Sequence, residues 1–120
     1  MDLYSANDEP ISIEPKAIVL IPLGFSMALP DNFEAQVRPR SGLSTKFGIT
    51  LPNAPGTIDA DYRGEVCIPL INHGSKVFVV EPNMRIAQMI VSPVVQATFE
   101  VVEDLNETVR GGGGFGSTGA

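Results

Sequence analysis

Two carboxylates one residue apart, a tyrosine and an arginine sit between glycines in GTIDADYRG, residues 56–64. A carboxylate at a pocket wall can take a proton from water and make the water a nucleophile. A tyrosine ring beside it can lie flat on a sugar. In an extended hairpin Asp59 and Asp61 share one face, and Tyr62 points to the other. A tight turn near Ala60–Asp61 relaxes that rule. The competing reading of the same residues is a polar turn that faces water.

Three further stretches carry candidate chemistry. In RPRSGLSTKFG an arginine precedes a serine at the start of a short helix. The forked guanidinium, the hydroxyl and free helical N–H groups together suit an anion. The same pattern also describes an ordinary helix cap beside a surface arginine. In NMRIAQMIV, Arg85 and Gln88 interrupt an apolar strand. Three residues apart, they point to opposite faces of a regular strand, so one of them should face the interior or an interface. The alternative is an Arg85 at the strand entrance that pairs with a surface acid. The end, RGGGGFGSTGA, has glycine at five of the seven positions from 111 to 117. Such a tail cannot hold a fixed backbone alone. A frayed terminus explains the glycines, but it has no need of Arg110 at the opening or Phe115 in the middle.

These residues need a scaffold, and the rest of the chain supplies a β-rich one. The chain has 120 residues, 43% of them hydrophobic, which is enough for one domain with a core. Short apolar or alternating runs recur: KAIVLIPL (16–23), FEAQVRPR with Phe33, Ala35 and Val37 on one side, GITLP, GEVCIPLIN with Val66, Ile68 and Leu70 on one face, and KVFVVEPN. RIAQMIVSPVVQATFEVVED (85–104) is a longer run that Ser92-Pro93 kinks or splits. Ten prolines spread along the chain exclude a long helix. The expected fold is all-β, an antiparallel sandwich or distorted barrel, with one short helix over 41–47 and Ser41 as its N-cap. The net charge of −6 argues against a stable nucleic-acid partner. No apolar run reaches the roughly 20 residues of a membrane helix, and the N-terminus does not read as a secretion signal. The single cysteine, Cys67, reads as a small buried core residue and fits a reducing, cytoplasmic setting.

The order of the motifs is more telling than any one of them. DL at 2–3, PRSGL at 39–43, GTIDADYRG at 56–64, RIAQM at 85–89 and RGGGGFGSTG at 110–119 resemble the five ordered motifs of the trimeric dUTP pyrophosphatases (dUTPases). The resemblance implies a jelly-roll β-domain over 1–109 and a flexible glycine-rich arm over 110–120. It also implies a homotrimer with sites at subunit interfaces, and hydrolysis of dUTP to dUMP and pyrophosphate with Mg²⁺ on the triphosphate. Asp59 matches the catalytic base, and Gln88 the glutamine near the α-phosphate and its water network. Tyr62 matches the ring that stacks on deoxyribose. Asn53, Gly56 and Ile58 belong to the hairpin whose backbone reads uracil and leaves no room for a C5 methyl. Arg40, Ser41 and Gly42 match the phosphate motif. Arg110, Phe115, Gly116, Ser117 and Thr118 match the arm that closes over the nucleotide.

Asp2 matches the acid that orders waters around the metal. The family motif around it reads Ala-Gly-x-Asp-Leu, usually after about two dozen residues that include a strand. Here MDLYSA begins inside that motif, so the domain is expected to be short at its N-terminus relative to the family. Two other readings share the fold: a nucleotide-binding regulatory protein with impaired catalysis, and a relative of dCTP deaminase. Asp59-x-Asp61-Tyr62 and the full arm favour the pyrophosphatase.

Overall fold

The computed structural model describes residues 1–119, and among them nine strands and one helix form. The strands are β1 (Asp2–Tyr4), β2 (Ile11–Ile13), β3 (Ile18–Pro22), β4 (Phe33–Pro39), β5 (Ile49–Thr50), β6 (Gly56–Ile58), β7 (Cys67–Asn72), β8 (Phe78–Val80) and β9 (Arg85–Pro93); α1 spans Ser41–Phe47. All pairings are antiparallel, in three small sheets ordered β1-β9-β4-β6, β2-β8 and β3-β7-β5. The all-β expectation with one short helix over 41–47 holds.

Alternation puts the core where the sequence patterns place it. Ala35 and Val37 of β4 are buried, as are Val66 and, on β7, Ile68 and Leu70; β2, β3 and β8 add Ile13, Ile21 and Val80. Each such aliphatic contributes roughly 1.5–3 kcal/mol when fully withdrawn from water. Phe33 departs from its predicted side and stays 38% exposed at the end of β4.

The same alternation corrects one expectation. On β7 the inward residues are Ile68, Leu70 and Asn72, so Cys67 and Pro69 lie on the other face, and Cys67 is only half-buried. It is a wall residue and not a core residue. Burial first, and then the nearby Glu65 carboxylate, push its thiol pKa up.

The run 16–23 begins later than expected. Lys16 sits at φ 69°, outside the strand region, and its N–H donates to Asn72 O at 2.7 Å. The long run from 85 ends as a strand at Pro93, and residues 94–104 form no strand. Proline withdraws a donor, and after one more bond, Val94 N–H to Asn32 O at 2.8 Å, the segment pairs with no strand among the described residues.

The helix also differs in detail. Its N-cap is Arg40, extended at φ −91° and ψ 129°, with no side-chain capping bond; Ser41 is the first helical residue. At the other end Gly48 adopts φ 70° and closes the helix through Leu43 O and Ser44 O. A Cβ on Gly48 would lie 2.6 Å from Gly74 N, so only glycine fits both the dihedral and the space.

Asn72, fully buried, ties these pieces together. Its amide donates to Ile13 O at 2.9 Å and Lys76 O at 2.7 Å, and its carbonyl accepts from Gly74 N–H at 2.8 Å. Asn72→Leu strands three backbone groups. We expect it to cost about 2–4 kcal/mol, read as a lower urea midpoint at an unchanged slope; an unaltered midpoint contradicts this account. The raised thiol pKa gives a second prediction. Iodoacetamide should alkylate Cys67 more slowly in the folded than in the urea-unfolded chain, with a folded-state rate still climbing above pH 9, the ordinary thiol range. Equal rates with a plateau below pH 9 would contradict it.

Candidate active site

β6 and the turn after it build one half of the site. β6 pairs with β4 through Ala35↔Ile58 and Val37↔Gly56. Beyond Ile58 the chain turns, with Tyr62 N–H donating to Asp59 O at 3.2 Å. This is the tight turn that relaxes the strand rule, so Asp59, Asp61 and Tyr62 are not governed by two-residue alternation. The Tyr62 hydroxyl donates to Glu65 O at 2.9 Å. A Cβ on Gly64 would lie 2.7 Å from Tyr62 Cζ, so the glycine leaves the space that the ring fills. Glu65 in turn accepts Gly24 N–H at 3.0 Å and ties this segment to the loop after β3. Asn53 packs over Gly56, whose added Cβ would sit 3.3 Å from the Asn53 amide nitrogen.

Asn53, Gly56, Ile58, Asp59 and Tyr62 line one cavity of about 340 Å³. Its apolar floor includes Leu51, Val66 and Ile68, and Leu20 and Cys67 complete its wall. Sequence reading missed the last two. Their signal was available in alternation: on β3 and β7 they lie opposite the residues assigned to the core. Tyr62 is 45% exposed, so its ring is open to a ligand.

The second half lies elsewhere, where β1, β9 and β4 run side by side. Asp2 pairs with Gln88, and Gln88 with Arg38. The Gln88 amide donates to Pro39 O at 3.0 Å, and the Arg40 guanidinium to Arg85 O at 3.0 Å. Arg85 binds the Asp2 carboxylate at 2.9 Å, and that hydrogen bond and charge raise the Arg85 pKa. The surface-pair reading of Arg85 is therefore the correct one. Ser41 Oγ has no hydrogen-bond partner among the described residues and is exposed, as is Gly42.

Arg85 and Gln88 are both exposed, although a regular strand would oppose them. A β-bulge resolves this. The register passes from Leu3↔Ala87 to Tyr4↔Arg85, leaving Ile86 as an extra residue, and Ile86 and Ala87 are buried in succession. Neither polar side chain faces the interior.

The two groups do not meet within one chain. Ile58 pairs with Ala35 near the start of β4, whereas Ser41 follows its end. At about 3.3 Å per residue, Asp59 and Ser41 lie roughly 20 Å apart along the strand direction. No residue of the Asp2, Arg40, Ser41, Gly42 and Gln88 group lines the cavity. The third group stands apart from both. Among the described residues, hydrogen bonds of the 110–119 segment stay within residues 108–119, including Arg110 Nε to Gly113 O at 2.6 Å. Phe115 is fully exposed, with φ 52°. Gly116, Ser117 and Thr118 follow it in turns, with Ser117 N–H donating to Gly114 O at 3.0 Å.

The dUTPase family profile matches residues 1–119. The deoxyuridine 5'-triphosphate nucleotidohydrolase of Rickettsia conorii is 59% identical over 119 residues, covering 99% of this chain and 80% of the relative. Among solved structures, a mutant dUTPase of Staphylococcus bacteriophage 80alpha with dUpNHpp superposes with a TM-score of 0.87 at 23% identity, over 99% of this chain and 85% of that one. A mutant dUTPase of phage phi11 of S. aureus, described with a structural Mg(II) ion, gives a TM-score of 0.77 at 19% identity over 88% and 84% of the two chains. Its motif order, its fold and its relatives agree: the chain belongs to the dUTPase family.

Proposed function

We propose that this dUTPase, which hydrolyses dUTP to dUMP, works at a composite site in which one copy supplies the cavity and another the phosphate group. The observation that carries the proposal is the roughly 20 Å between Asp59 and Ser41 along one strand, too far for both to serve one α-phosphate. In this reading uracil enters the cavity over Asn53, Gly56 and Ile58, and deoxyribose lies on Tyr62. Asp59 takes a proton from water as the water oxygen bonds to the α-phosphorus. The bond from that phosphorus to the bridging oxygen breaks, pyrophosphate leaves, and the proton passes to solvent. Arg40, Ser41, Gly42 and Gln88 of a neighbouring copy hold the phosphates, and Arg110, Phe115, Gly116, Ser117 and Thr118 close over the nucleotide. Positioning and charge stabilisation are what phosphoryl transfer mainly requires.

The metal reading fits the donor set in one specific way. Among the described residues no group of three or more His, Cys, Asp or Glu side chains is placed to hold an ion. A Mg²⁺ bound mainly by phosphate oxygens, with Asp2 reaching its waters, needs no such group. When bound it would neutralise and orient the triphosphate, which also eases the approach of a tetra-anion to a chain of charge −6.

The family resemblance makes the assembly a homotrimer, and exposed apolar surface supports an interface between copies. Val95, Phe99, Val101 and Leu105 are each more than four-fifths exposed, an apolar stripe of the kind that marks an interface. No helix among the described residues is long and apolar enough to cross a membrane. The reading places the chain in the cytoplasm, where Cys67 remains a free thiol.

Pyrophosphate release should be fast with dUTP and Mg²⁺, slow with dCTP, dTTP or UTP, and lost with a chelator. Asp59→Asn should lower kcat by about a thousandfold while dUpNHpp still binds; an active Asp59→Asn enzyme removes Asp59 as the base. The composite site has its own test. Asp59→Asn and Gln88→Ala chains, each inactive alone, should regain about a quarter of wild-type activity when co-refolded at equal amounts, because cyclic contacts restore one site in four. No recovery means that each chain holds a whole site.

A further inference from the structure

We infer that Arg63 is a positioning residue for the reaction: its guanidinium clamps the turn that fixes Asp59 relative to Tyr62. The inference rests on the assignment of Asp59 as base and Tyr62 as sugar platform, and adds a residue to which neither role was given. Arg63 Nη1 donates to Ala60 O at 2.6 Å and to Tyr62 O at 3.0 Å. One nitrogen thus bridges two carbonyls of the Asp59–Tyr62 turn, which otherwise has a single backbone bond, Tyr62 N–H to Asp59 O at 3.2 Å. Asp59 opens the turn and Tyr62 closes it, so the angle between base and platform is the quantity this clamp sets.

The neighbours of Arg63 sharpen the point. Asp59 and Asp61 lie four and two residues away, yet the ion pair found among the described residues is Arg85 with Asp2. Arg63 Nη1 bonds main-chain oxygens, no bond joins Arg63 to Asp59 among the described residues, and Asp59 is exposed to water. A guanidinium paired with Asp59 would compete with the water the base must hold. The next residues complete the frame from the other side: Gly64 leaves room for the Tyr62 ring, and Glu65 O accepts its hydroxyl. Arg63 supplies the only side-chain bonds on the Asp59 side of that frame among the described residues.

A clamp acts on geometry and a phosphate ligand acts on binding, so the two are separable. Arg63→Met keeps length and removes the donors; Arg63→Lys keeps donors on a shorter stem. For each full-length variant one would measure kcat and KM for dUTP, the Kd of dUpNHpp, and Tm, with Asp59→Asn in parallel. The expected result for Arg63→Met is a kcat lowered on the order of tenfold to a hundredfold, the scale of a small misplacement of a catalytic group. Its dUpNHpp affinity should stay within about threefold, and its Tm within about 4 °C. Arg63→Lys should recover most of the lost kcat. A wild-type kcat for Arg63→Met overturns the clamp. So does a loss of dUpNHpp affinity equal to the loss of rate, which would make Arg63 a ligand of the triphosphate. If Arg63→Met fails to fold, a folded Arg63→Lys with unrestored kcat overturns it as well. An inactive Asp59→Asn beside a fully active Arg63→Met leaves the base in place and removes only the clamp; an active Asp59→Asn removes the reading beneath it.

Discussion

The pairing of β4 with β9 is the contact on which the rest of the molecule depends. Seven residues from Phe33 to Pro39 run antiparallel to Pro93 through Ala87, with Ala35 and Val37 turned into the core. A slip of one residue would turn those two outward and drive Gln36 and Arg38 inward, which the core cannot accept. The register is therefore fixed by burial. It determines where the chain leaves the sheet after Pro39, beside Ala87 and Gln88. It also offers β4's other edge to β6, so Gly56 lies opposite Val37 and Ile58 opposite Ala35. Both halves of the candidate site are positioned by one strand, at opposite ends. Separation of the two groups is set by that strand's length.

Each half is held by its own local contacts. The cavity side is a turn closed by bonds to its own backbone, with Gly64 leaving space for a ring and Glu65 reaching across to Gly24. The side that carries Asp2, Arg85 and Gln88 is a bulge. Ile86 and Ala87 turn inward together, which brings Arg85 and Gln88 to the same exposed side and sets Asp2 within reach of Arg85. In a chain of charge −6, Arg38, Arg40 and Arg85 gather positive charge at this end of the sheet, which suits the anion site proposed above. The pair with Asp2 keeps Arg85 from being wholly available. Both partners are nearly half exposed, so the bond orients side chains and adds little to stability.

The fold was legible in the sequence wherever burial acts through period two. Ala35, Val37, Ile68 and Leu70 alternate and are buried as alternation demands. The same rule, applied to the other face, identifies Cys67 as a cavity residue; reading the cysteine by its type alone put it in the core. The bulge at Ile86 was not legible, because an extra residue changes the phase of a strand without changing its composition. The N-cap illustrates a related limit. Ser41 has the chemistry of a cap, but Pro39 and the extended Arg40 set the helix start one residue earlier, and Ser41 enters the helix with its hydroxyl uncommitted. The candidate site residues were legible as motifs; their division into separate groups became visible only through the register of β4.

The end of the chain shows why composition alone cannot assign a strand. Residues 95–105 have the apolar content of one, yet they pair with no strand among the described residues. The radius of gyration is 19.1 Å, with a longest extent of 58 Å. A compact domain of this length has a radius near 14 Å. Val95, Phe99, Val101 and Leu105, in the segment after β9, stand exposed and carry hydrophobic surface with them. A strand needs an edge to pair with as well as a suitable sequence, and the edges of β4 and β9, the strands next to this segment, are taken by β6, β1 and each other. The apolar pattern past Pro93 and the split between Asp59 and Ser41 both support the composite site proposed above: exposed apolar surface suits an interface, and separated groups suit a site shared between copies.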